Sequence, residues 1–173
     1  MASTYTLISS NTLSSSAASV TFSSIPQTYT DLVLRMSVRG DSASVYDIEQ
    51  IQFNNDSTSG NYSFTLLWGS GSAATSGRGT NQSGHPTYYN NGDTATSNSF
   101  GNGEIYIPSY TVAQNKPMSQ FQVAETNAAT ERMGLNANLW RNTAAISSIQ
   151  ITPYLGTNML SGSSFYLYGI KKS

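Results

Sequence analysis

His85 is the only histidine in the chain. Its ordinary pKa of about 6.5 makes it the one side chain suited to act as a general base at neutral pH. A Ser-His-acid relay would need a hydroxyl and a carboxylate placed around it. Serine is so abundant that proximity to one carries no information. His85 stands before Pro86 in a polar, Gly-rich segment, a poor support for a preorganised base, so the expectation is an exposed loop histidine. Among the carboxylates, Asp41, Asp47 and Glu49 fall closest together. Their D-x5-D-x-E spacing matches no calcium loop, and no acid pair has the setting a glycosidase needs. Asp56, in NNDSTSG, reads as a turn residue. Arg39-Gly40-Asp41 spells RGD, but it closes a strand and enters a turn, which favours Gly and Asp anyway. The chain has no cysteine, which removes disulfides and thiolate metal sites. No catalytic residue, metal ligand or cofactor is implied.

The remaining chemistry is that of contact. Tyr88, Tyr89 and Tyr110, with Phe100 nearby, look exposed and are expected to pack on another subunit. Tyr88, Tyr89 and Tyr110, with Asn90 and Asn91, would also suit stacking on a sugar ring. Tyrosine is common in both roles. Trp68 and Trp140 are assigned to the core or its rim.

These residues sit in a chain of 173 residues with 10% charged side chains and a net charge of −1. Ordinary soluble domains carry about 25% charged residues. The balance gives no electrostatic case for nucleic acid or an anionic membrane. Ser, Thr and Asn make up more than a third of the sequence. Eleven Tyr, six Phe and two Trp argue against disorder, because disordered chains are poor in aromatics. A polar but uncharged surface suits a subunit largely covered by partners. The N-terminal stretch lacks the basic start and apolar run of a signal peptide, and no apolar run reaches the ~18 residues of a membrane span.

Period-2 alternation recurs along the length, with no convincing helical period. The clearest example is DLVLRMSVRG, with Leu32, Leu34, Met36 and Val38 inward. By the same rule Phe53, Phe64, Phe121, Leu135, Leu139, Ile151 and Leu167 are expected in the core. The closing SSFYLYGIKKS is apolar or aromatic on both faces, so it should lie between neighbouring strands, with Gly169 permitting a close approach. Residues 41–49 could form one short helical turn. The predicted fold is all-β: a jelly-roll-like two-sheet β-sandwich of about 8–10 strands. Residues 1–173 read as one domain, with a long Gly/Ser/Asn-rich loop region at 69–103 that contains one hairpin, turning at Asn91-Gly92.

The segments YTLISSNTLSSSAASVTFSSIPQTYTDLVLRMSVR, IQFNNDSTSGNYSF, EIYIPSY, NLWRNTAAISSIQITP and FYLYGIKKS resemble small structural proteins of tailed bacteriophages. They are especially similar to those of phages infecting aquatic bacteria and cyanobacteria. The resemblance spans nearly the whole chain and rests on strand and turn signatures. It implies a non-enzymatic virion component made in the host cytoplasm: a capsid decoration (cement) protein, or a tail or fibre subunit that binds host-surface carbohydrate. The implied partners are other virion proteins, the major capsid protein or tail proteins. Further copies of the chain are expected too, with a trimer fitting a capsid symmetry axis.

Overall fold

The computed structural model describes residues 4–127 and 132–171. Fourteen strands and no helix occur among them. The strands are β1 (Tyr5–Thr12), β2 (Val20–Phe22), β3 (Asp31–Val38), β4 (Tyr46–Asp47), β5 (Glu49–Phe53), β6 (Tyr62–Gly69) and β7 (Ala74–Gln82). They continue with β8 (His85–Pro86), β9 (Asn90–Asn91), β10 (Gly101–Ile107), β11 (Lys116–Ala124), β12 (Arg132–Trp140), β13 (Ile149–Pro153) and β14 (Ser164–Ile170). An eight-stranded antiparallel sheet runs β1-β14-β3-β10-β11-β12-β6-β7. A four-stranded sheet, β2-β13-β5-β8, forms the second layer, and β4 pairs with β9. The chain is thus an all-β sandwich. Its strand number exceeds the expected 8–10, in part because three strands have only two residues.

Apolar alternation explains the half of the sandwich that the sequence describes best. Leu32, Leu34 and Met36 on β3, Ile105 and Ile107 on β10, and Phe165 and Leu167 on β14 point inward. They meet Ile51 and Phe53 of β5, Ile149 and Ile151 of β13, and Val20 and Phe22 of β2 in one buried cluster. β14 does lie between two neighbours, β1 and β3. Gly169 is needed there because a Cβ would come within 2.4 Å of the Tyr29 ring. At one end of the cluster, Phe53, Tyr62 and Trp140 pack ring on ring. Asp56 closes that end: its carboxylate accepts the Trp140 indole N–H at 2.8 Å and the Asn61 amide at 2.8 Å.

Three expectations are corrected. Residues 41–49 form no helical turn; they lead into β4 and β5. Residues 69–103 hold β7, β8 and β9, and Asn91-Gly92 is no hairpin turn because β9 pairs with β4. The third correction concerns facing. Phe121 is 44% exposed and Leu135 51% exposed, while Phe64 and Leu139 are half-buried. The inward residues of β11 and β12 are instead Met118, Gln120, Gln122, Asn136, Asn138 and Trp140. A one-residue slip exchanges the faces of a strand, so one face must win as a whole. Trp140, fully buried and bonded to Asp56, fixes the parity of β12. Of the amides on its side, Gln120, Gln122 and Asn136 join hydrogen bonds and Asn138 joins none.

Candidate functional site: the outer face of the large sheet

The inversion divides the eight-stranded sheet at the boundary between β10 and β11. On one side the strands turn apolar residues inward and tyrosines and charges outward. On the other side β11 and β12 turn amides inward and Phe121, Met133 and Leu135 outward, whereas β6 beyond them again turns Tyr62 and Leu66 inward. Pairing registers place Tyr166 opposite Arg35, Arg35 opposite Glu104, Glu104 opposite Phe121, Phe121 opposite Leu135, and Leu135 opposite Leu67. This single row crosses six strands on the outer face. Leu67 and Met133 are 54% and 50% exposed. Directly opposed side chains in a sheet touch and act as a unit, so Phe121, Leu135, Leu67 and Met133 form one apolar patch. A shallow, almost wholly apolar depression lies at its edge, between Leu67, Trp68, Ala74, Met133 and Leu135.

The other half of the face is amphipathic. The Arg35 guanidinium donates to Glu104 at 2.8 Å, the one ion pair among the described residues. The same guanidinium lies 5.8 Å and 5.7 Å from the rings of Tyr5 and Tyr168. The Glu104 bond raises its pKa above the ordinary value against the effect of burial. The Tyr106 hydroxyl donates to Asp31 at 2.9 Å. Burial, and then that bond, raise its pKa.

The residues selected from the sequence are placed differently. Tyr89 and Tyr110 are buried, which corrects the expectation that they are exposed; Tyr88 and Phe100 are half-buried. Tyr88 and Tyr89 both have positive φ, 36° and 71°, a conformation that costs on the order of 1–3 kcal/mol per bulky residue. That backbone sends Tyr88 against Phe64 and Tyr89 against Trp68 and Tyr46. Arg132 then fills the space between rings, 4.2 Å from Tyr46, 4.5 Å from Trp68 and 4.8 Å from Tyr89. The tyrosines serve an internal cation–π cluster. Phe100 packs over Gly162, and the Tyr110 hydroxyl donates to the Pro26 carbonyl.

His85 is likewise buried, not exposed. Burial depresses its pKa to about 3, with the nearby Gln120 amide acting the other way. Neither ring nitrogen makes a hydrogen bond of ordinary geometry, and no hydroxyl or carboxylate engages it. The RGD side chains are consumed by the fold. Arg39 donates to the carbonyls of Asp93, Ala95, Thr96 and Ser99. Asp41 accepts from the backbone and side chains of Thr157 and Asn158. Burial would raise the Asp41 pKa, but the Asn158 and Thr157 bonds outweigh it and hold the carboxyl well below its usual range. No group of three His, Asp or Glu side chains among the described residues could hold a metal ion. The outer face was missed in the sequence because alternation shows that a strand has an apolar face, not which way that face points.

No family model matches the chain, and no curated protein matches it. Among solved structures it is similar to an exo-inulinase from Aspergillus awamori, at 12% identity and a TM-score of 0.44. That likeness covers 96% of this chain and 29% of the inulinase chain.

Proposed function

We propose that the chain is a non-enzymatic structural protein of a bacteriophage virion, a capsid decoration subunit that stabilises the shell through protein–protein contacts. The observation that carries this reading is the exposed apolar row Phe121–Leu135–Leu67 on a sheet whose inner face holds amides at β11 and β12. A surface patch of this kind marks an interaction site. The near absence of net charge fits a surface that meets neighbours without long-range repulsion. Eight strands about 4.8 Å apart, each showing some 24 Å of length, offer on the order of 900 Å². Two such faces together reach the ~1,600 Å² of a standard interface. The apolar half alone would fall short, so the subunit uses the whole face, against a second copy or a capsid protein. The resemblance to phage structural proteins supplies the biological setting.

The test is location and consequence. Antibody against the protein should label the capsid, and particles lacking it should assemble but lose their genome at lower temperature or osmotic stress. Particles that are equally robust yet fail to adsorb to host cells would favour a tail or fibre subunit that binds host-surface carbohydrate. The observation on the side of that second reading is the half-face of Tyr5, Tyr106, Tyr166 and Tyr168 around Arg35. Exposed aromatic rings beside hydrogen-bonding groups are the chemistry that holds a sugar.

A further inference from the structure

Beneath the apolar patch, β8 and the segment after it cover the inner face of β11 and β12 with polar side chains. Thr87 donates to Glu49 at 3.0 Å, Gln120 donates to the Thr87 carbonyl, Gln122 donates to Asn90, and Asn136 donates to Gln120 at 3.3 Å. Seven further atoms of this layer have no partner: Glu49 Oε1, His85 Nδ1 and Nε2, Asn90 Nδ2, Asn136 Oδ1, and Asn138 Oδ1 and Nδ2. Every one of these side chains is at least nine-tenths buried. Donors and acceptors are both present, yet they do not reach one another. Leaving so many buried polar atoms unpaired would consume a sizeable part of the net stability of a domain. Buried polar atoms without a protein partner are the groups that ordered water bridges.

We propose that the seam between β8 and β11–β12 is a built hydration site, holding about two or three ordered waters at ~3 hydrogen bonds each. Their partners are Glu49, His85, Asn90, Asn136 and Asn138. The waters join the four-stranded sheet to β11 and β12 along the stretch where amides replace apolar side chains, beside the packing of Met118 and Trp140. They are the internal counterpart of the exposed apolar face: strands that spend their apolar side outward are held inward by amides and solvent. The site does not depend on the virion reading and stands or falls separately from it.

Oxygen-17 and deuterium magnetic relaxation dispersion on the intact chain counts water molecules bound for longer than nanoseconds. At least two are expected, and Asn138→Leu should remove one or more. A crystal structure at a resolution that shows waters should place peaks within bonding reach of Glu49, His85, Asn136 and Asn138; should the variant not fold, that density decides alone. The proposal is overturned by an absence of long-lived waters, by a count that Asn138→Leu leaves unchanged, by side chains found bonded directly to one another, or by a stoichiometric metal ion in elemental analysis.

Discussion

Glu49 and His85 titrate in opposite senses, and together they set the pH at which the fold is most stable. Burial, with the Asp47 charge beside it, raises the Glu49 pKa from 4.5 to about 8. Between those values an unfolded chain gives up a proton that the folded chain keeps, so stability falls as pH rises through that window. Burial lowers the His85 pKa from 6.5 to about 3. Below 6.5 the unfolded chain takes up a proton that the fold refuses, so stability falls as pH drops from there. Between 4.5 and 6.5 the two slopes oppose and cancel, while above 6.5 only the Glu49 loss continues and below 4.5 only the His85 loss does. Thermal unfolding followed against pH should therefore show its maximum melting temperature in that interval. Glu49→Gln should remove most of the decline between pH 6.5 and 8. A melting curve that keeps rising to pH 8 in the parent protein would count against a buried neutral Glu49. Arg39 makes a second residue-scale case. Its four carbonyl bonds hold residues 93–99, and hydrogen bonds to a charged group are worth about 1.5–3 kcal/mol each when a buried partner is removed. Arg39→Ala should cost at least ~2–3 kcal/mol, and amide exchange should accelerate first in 93–99.

At the scale of the strand, placement was legible and facing only half so. β3 carries an unbroken period of large apolar residues, β5, β10, β13 and β14 each carry a large apolar pair two residues apart, and burial follows those periods. β11 and β12 carry two competing sets: Phe121, Met133 and Leu135 on one side, Met118, Trp140 and a run of amides on the other. Hydrophobicity summed along the strand favours the first set. The packing of Trp140 on Phe53 and Tyr62 favours the second, and the amides tolerate burial because most of them pair across β11, β12 and the segment 87–90. None of those long-range partners can be read from local sequence. The two kinds of strand give a direct contrast. Leu34→Ala should destabilise by about 2–5 kcal/mol, as loss of a fully buried leucine does. Leu135→Ala should stay within about 0.5 kcal/mol, as an exposed site does. Equal effects in denaturant unfolding would mean that β12 faces the other way. The C-terminal strand illustrates what was legible in full. Its two-sided apolar pattern announced a central position, and removal of residues 164–173 would split β1 from β3 and expose Leu34 and Met36.

At the scale of the molecule the sandwich has an unequal distribution of surface chemistry, and that asymmetry constrains how it associates. The outer face offers one exposed ion pair, Arg35–Glu104, which in water contributes roughly 0–1 kcal/mol. The rest of the row is tyrosine, phenylalanine and leucine. Association through this face must draw on apolar area and neutral hydrogen bonds, and salt screens neither of these strongly. Raising ionic strength from about 0.05 to about 0.5 M shortens the screening length several-fold; the affinity for a partner seated on the face should change little over that range. Leu135→Glu offers the complementary test. The residue is exposed, so the variant should fold and melt like the parent. In a complex the new carboxylate would sit unpaired at the centre of an apolar contact, where desolvating a charge is most costly. Association, read by sedimentation of the purified chain or by retention on particles, should then be lost while the melting temperature is kept. Retention that survives Leu135→Glu but collapses at high salt would move the interface to a charged surface elsewhere on the molecule.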